Sequence, residues 1–121
     1  MKITALLLFA ASFAGLGTAV TDRQHCANKN GNLMKAIDSF CANRALTVPS
    51  VYAKRGMKGP DKHTRIWIDG NQCQPSQWVP PKYCKSQFWN LCKRGGAHGG
   101  GQTRFGRDGC QVWKIKYNRH V

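Results

Sequence analysis

The longest apolar stretch of the chain runs from Ile3 to Ala14, where only two hydroxyl residues interrupt it. Lys2 precedes this stretch, and the small residues Gly17 and Ala19 follow it. A positive start, a short apolar run and small residues near a cleavage point are the three parts of a secretory signal peptide, and the run is too short to span a membrane. We therefore predict that residues 1–19 are a signal peptide and that residues 20–121 form one secreted domain.

Two later segments carry apolar residues at helical spacing. The first follows Asn30 or Asn32, either of which can cap a helix, and it is expected to end near residues 42–44. The second opens at Pro80-Pro81, because proline is tolerated in the first helical turn, and ends near Lys93, where Gly95 is expected to form a left-handed cap. The predicted buried stripes are Leu33, Met34, Ile37, Phe40 and Cys41, and Cys84, Phe88, Leu91 and Cys92.

Two further segments alternate between inward and outward positions, as half-buried strands do. They are Thr64–Asp69 and the stretch from Cys110 to Tyr117. The positions predicted to face inward are Ile66, Ile68, Trp113 and Ile115. The positions predicted to face outward include Arg65, Trp67 and Val112.

The remaining segments lack a clear period. Val20–Cys26 is predicted to be a short polar start, and Leu46–Ala53 an extended segment that Pro49 limits to a brief or edge strand. We expect Lys54–His63 to be a basic loop and Gly95–Gly109 to be a long mobile loop. The element order is therefore helix, strand, strand, helix, strand, which predicts an α+β fold with a small antiparallel sheet packed against two helices.

All six cysteines follow the predicted cleavage point, and an even number in a short exported chain implies three disulfides. Sequence alone does not select among the pairings. One scheme joins Cys73 to Cys110 and links the two helices from Cys41 to either Cys84 or Cys92. No CxxC pair occurs, so we predict neither a metal site nor a cofactor. The predicted disulfide residues are Cys26, Cys41, Cys73, Cys84, Cys92 and Cys110.

The charge of the chain is strongly unbalanced, with 19 Lys and Arg residues against 5 acids and a formal net charge of +14. Such a field attracts acidic partners. The candidates are an anionic surface (membrane lipid, cell-wall polymer or glycan), an acidic host protein, or a nucleic acid, and we expect a monomer. Cations beside an exposed aromatic ring suit sugars and bases. The predicted binding residues are Lys54, Arg55, Lys58, Lys62, Arg65, Trp67, Lys93, Arg94, Arg104 and Arg107.

The sequence does not predict an enzyme. His25, His63, His98 and His120 offer acid–base candidates for a ribonuclease, but the Cys-Lys-x-x-Asn-Thr-Phe signature of pancreatic-type ribonucleases is absent. The small guanyl ribonucleases of fungi use a glutamate base, and the chain has no Glu. Paired carboxylates for a glycosidase and a Gly-x-Ser-x-Gly motif are not found either.

Three segments together resemble small secreted cysteine-rich proteins of filamentous fungi. They are Cys73–Cys84, with the sequence CQPSQWVPPKYC, Phe105–Trp113, with the sequence FGRDGCQVW, and Val48–Ala53. The resemblance implies secretion and, for some of these proteins, an α/β sandwich. Proteins of this kind include host-directed effectors, killer-toxin-like antimicrobial proteins and glycan-binding proteins. The resemblance assigns no catalytic residue to this chain.

These observations predict a secreted cationic protein, effector-like or antimicrobial, that binds an anionic surface or a host or competitor target without catalysis. Two alternatives stay open from the sequence. One is a glycan-binding, lectin-like module that uses Trp67, and the other is a small secreted ribonuclease.

Overall fold

The structure is a computed structural model, and it describes residues 19–119. The predicted signal peptide therefore lies outside the described residues, except for Ala19. The elements, in chain order, are helices α1 (Asp22–Lys29) and α2 (Gly31–Phe40), strand β1 (Thr47–Val48), helix α3 (Val51–Arg55), strands β2 (Met57–Lys58), β3 (Thr64–Asp69) and β4 (Gln77–Trp78), helix α4 (Pro81–Arg94), strand β5 (Gly101–Phe105), a 3₁₀ turn (Arg107–Gly109) and strand β6 (Gln111–Tyr117).

The larger sheet is antiparallel and has the strand order β2-β3-β6-β5, whereas β1 and β4 form a separate two-stranded ladder. The α+β prediction is confirmed. On the inner face of the larger sheet, Ile66 pairs with Ile115 and Ile68 pairs with Trp113, and helices α2 and α4 pack over these residues. The helical side of the core includes Leu33, Ile37 and Phe40 from α2 and Phe88 and Leu91 from α4.

Helix α1 was not predicted, because Cys26 is its only buried residue and it therefore shows no apolar stripe. It begins with a capping box, in which Thr21 Oγ1 accepts from the Gln24 backbone N–H and Gln24 Oε1 accepts from the Thr21 backbone N–H.

Asn90 and Lys93 of α4 bind the Asp22 carboxylate. The Asn90 hydrogen bond, followed by that from Lys93, lowers the pKa of Asp22. Val20–Cys26, predicted to be a short polar start ahead of the first helix, is instead helical from Asp22 onward.

The extended assignment of Val51 and Tyr52 is also wrong, since both belong to α3. Ser50 begins this short helix, because its hydroxyl accepts from the Ala53 backbone N–H at 3.0 Å. The predicted loop Lys54–His63 contains strand β2. Short local hydrogen bonds of this kind leave no periodic signal in the sequence.

The glycine-rich segment Gly95–Gly109 is not a long loop, because it contains β5 and the 3₁₀ turn. Strand β5 forms through its ladder with β6, where Thr103 lies opposite Trp113. Gly95 has φ −78° and is not a left-handed cap. The α4 carboxyl end is instead bound by Lys29, whose Nζ donates to the carbonyl oxygens of Cys92 and Gly95.

Three disulfides cross-link the elements. Cys26 pairs with Cys92, Cys41 with Cys84, and Cys73 with Cys110. The predicted Cys73–Cys110 bridge is confirmed, and of the two partners left open for Cys41 the structure selects Cys84. The first two bridges fasten α1 and α2 to α4, and the third joins the segment after β3 to the start of β6.

Asn30 holds four parts of the fold together. Its backbone N–H closes α1 by donating to the Cys26 carbonyl, and its side-chain oxygen caps α2. Its amide nitrogen donates to Thr64 Oγ1 at 3.0 Å and to the His98 carbonyl at 3.1 Å. One buried amide therefore connects α1, α2, β3 and the loop before β5.

We expect Asn30→Ala to lower the free energy of unfolding by about 2–4 kcal/mol, the sum of a lost cap and unsatisfied buried partners. Urea denaturation followed by tryptophan fluorescence measures the change. Asn28→Ala, at an exposed position of α1, is the matched control and should have little effect. Equal stabilities of the two variants would contradict this role of Asn30.

Candidate functional site

The face of the larger sheet opposite the helices is rich in cations. Because side chains alternate along a strand, the residues between the buried positions of β3 and β6 all point away from the core. We call this surface the outer sheet face. It consists of Lys58 from β2, Arg65, Trp67 and Asp69 from β3, Val112, Lys114 and Lys116 from β6, and Gln102 and Arg104 from β5.

The strand register sets the order of the charges across this face. Lys58 lies opposite Arg65, and Arg65 lies opposite Lys116. Neighbouring strands are about 4.8 Å apart, so three cations form one row across three strands. Lys114 belongs to the next row, between Trp67 and Gln102. The outer sheet face thus carries five cations and one acid.

Trp67 contacts two cations of this face. The Arg65 guanidinium lies 4.1 Å from the centre of the indole ring, and Lys114 Nζ lies 5.7 Å from it. The indole N–H donates to Asp69 Oδ2 at 3.2 Å. Cation–π contacts of this kind hold the Arg65 side chain over the ring. A ring that is already covered by Arg65 offers no free stacking surface on that side.

The sequence predicts that Trp67 faces outward and takes part in binding, but a different tryptophan is the most exposed one. Trp67 is half-buried, whereas Trp78 on β4 is 60% exposed. The expectation that Trp113 belongs to the core is confirmed, since its side chain is fully buried. The alternation of β3 correctly gave the direction in which Trp67 points, but neighbouring side chains from β3 and β6 cover it.

Asp69 is neutralised within the site. Its carboxylate forms a salt bridge with Lys114 at 2.9 Å. Partial burial acts to raise the pKa of Asp69, but the hydrogen bonds from Lys114 and Trp67 and the charges of Lys114 and Lys54 outweigh it, so the pKa lies below its usual value. The Asp69 carboxylate therefore stays ionised at mildly acidic pH, and its salt bridge is with Lys114. Among the described residues, Lys58 and Lys116 form no ion pair.

Arg65 also connects the face to α3. Its guanidinium donates to the carbonyl oxygens of Lys54 and Arg55, where α3 ends. This cation thus satisfies the free carbonyls of a helix C-terminus and places Lys54 and Arg55 beside the sheet. Four of the predicted binding cations, Lys54, Arg55, Lys58 and Arg65, are therefore brought together. Lys62 lies in the turn between β2 and β3.

The other predicted cations lie on three different elements. Lys93 and Arg94 are in the last turn of α4, where Lys93 pairs with Asp22 at 3.2 Å. Arg104 belongs to the outer sheet face and donates to the Gly109 carbonyl. Arg107 lies in the 3₁₀ turn.

Lys114 and Lys116 were missed as binding residues, although their alternation with Trp113 and Ile115 indicates the outer face.

Two of the histidines approach one ring. His98 stacks on Tyr117 with ring centres 4.0 Å apart, and the His63 ring centre is 6.1 Å from that of Tyr117. The His63 Nδ1 atom lies 2.8 Å from the Asn118 carbonyl oxygen. His25 is exposed on α1, and His120 lies outside the described residues. His63 and His98 are therefore the two histidines that lie beside the Tyr117 ring.

Residues 19–119 contain no group of three or more His, Cys, Asp or Glu side chains that could hold a metal ion. In the same part of the chain, no helix has the length and apolar character needed to cross a bilayer.

Comparisons of the chain with protein-family models, with curated proteins and with solved structures found no match. The function of the site is therefore inferred from the geometry and charge of its residues.

Proposed function

We propose that this protein is a secreted, non-catalytic, cationic binding protein whose outer sheet face binds an acidic polysaccharide on a cell surface, in an effector-like or antimicrobial role. The observation that carries the proposal is the row formed by Lys58, Arg65 and Lys116. A row of cations set by strand register suits the repeated carboxylates of an extended acidic polymer. The single acid of the face, Asp69, is already paired, so it adds little repulsion.

The side chains of the face favour a polymer over a lipid bilayer. The exposed large apolar residues of the described chain are Val20, Val51, Trp78 and Tyr83, and none belongs to the outer sheet face. Stable attachment to a bilayer usually combines charge with inserted apolar side chains. This face supplies charge but no exposed large apolar side chain.

The covered indole favours a polysaccharide over a nucleic acid. Proteins that bind single-stranded nucleic acids stack bases on aromatic rings. Trp67 is the aromatic residue of this face, and Arg65 occupies one side of its ring. Carboxylate groups of a sugar polymer need only the cations, which remain accessible at Lys58 and Lys116.

The test is a titration of the disulfide-bonded protein, residues 20–121, with polygalacturonate, its methyl ester, RNA and anionic lipid vesicles. Binding to polygalacturonate should weaken steeply between about 0.01 and about 1 M salt, since the Debye length falls from about 30 to about 3 Å over this range. The neutral methyl ester should not bind. Tighter binding to RNA or to vesicles, or binding that is indifferent to salt, would overturn the proposal.

A further inference from the structure

A second surface of the molecule has the features of a ligand site. A cleft of about 450 Å³ lies between the segment from Pro75 to Pro80 and the turn at Gly106 and Arg107, and the first turns of α4 close one side. No residue that lines this cleft belongs to the outer sheet face. The Cys73–Cys110 disulfide joins the two segments that form its walls.

The floor of the cleft is a chain of hydrogen bonds that begins in the core. The Trp113 indole N–H donates to Gln111 Oε1 at 2.9 Å, and Gln111 Nε2 donates to Gln77 Oε1 at 2.9 Å. The Arg107 backbone N–H donates to the same Gln77 oxygen at 3.2 Å. Because an indole N–H only donates, it fixes the orientation of both amides. Gln77 Nε2 has no partner in the described chain and is left as a donor for a ligand.

Gly106 makes this arrangement sterically possible. Its φ of +82° is a conformation that side chains disfavour, and a Cβ atom at this position would lie 2.5 Å from Gln77 Oε1 and 2.7 Å from Gln111 Nε2. Only glycine leaves room for the amide pair. The hydrogen-bonded floor of the cleft is therefore in place before any ligand arrives.

Two exposed aromatic side chains line the cleft. Trp78 is 60% exposed and Tyr83 is 54% exposed. The Trp78 indole N–H donates to the Arg44 carbonyl at 2.8 Å, which fixes the edge of the ring. Neither ring stacks on another aromatic ring within residues 19–119. Exposed rings in a concave site are suited to the apolar faces of sugar rings.

The polar residues of the cleft complement an acidic sugar. Gln87 lies one helical turn after Tyr83, so both project to the same side of α4. Arg107 is the one charged residue that lines the cleft, and it forms no ion pair with the described residues. Asp108 follows Arg107 in the same turn but forms no ion pair with it. A cation that is not paired, beside amide groups and aromatic rings, matches a ring that carries both hydroxyl groups and a carboxylate.

We infer that this cleft binds one uronic acid residue, with the sugar ring on Trp78, hydroxyl groups on Gln77 and Gln87, and the carboxylate on Arg107. The inference deepens the proposed function by naming the acidic sugar class, but it concerns a different surface. A short oligosaccharide fills the cleft without spanning the rows of the sheet, so the two sites can be tested separately.

The experiment measures binding of tri-galacturonate and of its neutral methyl ester by calorimetry and tryptophan fluorescence. The wild-type protein should bind the trimer, and Arg107→Gln should weaken this binding about tenfold or more, because a charge-assisted hydrogen bond is lost. Lys35→Gln, an equal charge change at an exposed position of α2 outside both surfaces, is the matched control and should not alter trimer binding. Trp78→Ala should abolish it, whereas Trp78→Phe, which keeps an aromatic ring, should retain part of it.

Urea denaturation of each variant separates a lost ligand contact from a lost fold. Failure of the wild-type protein to bind the trimer, while it binds long polygalacturonate, would overturn the cleft assignment and leave the proposed function standing. Equal binding of the trimer and its methyl ester would overturn the role of Arg107. Binding of a proline-rich peptide in place of the trimer would show a peptide site and overturn the inference.

Discussion

A variant carrying Lys58→Glu and Lys116→Glu is expected to bind polygalacturonate roughly 1,000-fold more weakly than the wild-type protein at low salt. The two lysines flank Arg65 in one row of the outer sheet face, and both are exposed. Each cation near an anionic surface contributes about 1 kcal/mol. Each reversal removes one attraction and adds one repulsion, so the total change is about 4 kcal/mol, which corresponds to about three powers of ten.

The control for this variant is Lys35→Glu with Lys85→Glu. These lysines lie on α2 and α4, which cover the other face of the sheet. The two double variants have the same net charge, so a general loss of positive charge affects them equally. Calorimetry at low and high salt should show a large loss for the sheet variant alone, and the loss should fade as salt increases. Equal losses in both variants would show that net charge, and not the row of cations, attracts the polymer.

Removal of the Cys26–Cys92 disulfide is expected to cause the largest loss of stability. This bridge closes a loop of 66 residues, and the chain entropy released in the unfolded state corresponds to about 4 kcal/mol. A small domain has only about 5–15 kcal/mol of total stability. Cys26 is also the one buried residue of α1, so α1 should detach from α4 in the Cys26→Ala, Cys92→Ala variant.

Urea denaturation and amide hydrogen exchange measure these two effects. The comparison is Cys73→Ala with Cys110→Ala, which opens a loop of 37 residues and should cost about 0.5 kcal/mol less in loop entropy. In that variant the amides of α1 should stay protected, and the walls of the cleft should loosen. Protection of the α1 amides in the Cys26→Ala, Cys92→Ala variant would contradict the anchoring role of the first disulfide.

The periodicity of apolar residues was sufficient to predict the helices and strands that bury a complete face. The stripe that includes Leu33 and Ile37 predicted α2, and the alternation of Ile66 and Ile68 predicted β3, because burial of one face imposes a period on the sequence. Helices α1 and α3 were missed for the converse reason, since each has one buried residue and is held by local caps at Thr21 and Ser50.

The candidate site could be predicted only in part. The outward direction of Arg65 and Trp67 followed from the alternation of β3, and the position of Lys114 and Lys116 could have been found in the same way on β6. The sequence could not show that Arg65 covers Trp67, because the order of side chains across a face depends on strand register. It also could not show the Gln77–Gln111 pair, which joins two segments distant in the sequence.

The sequence by itself determined the excess of positive charge, the six cysteines, the two long helices and the two strands with buried alternate residues. Only the tertiary structure decided that β5 forms within a glycine-rich segment, that Lys58, Arg65 and Lys116 share one row, and that Trp78 rather than Trp67 is exposed. The physical reason is that periodicity records which side of a segment is buried. Hydrogen bonds between distant strands decide which residues become neighbours.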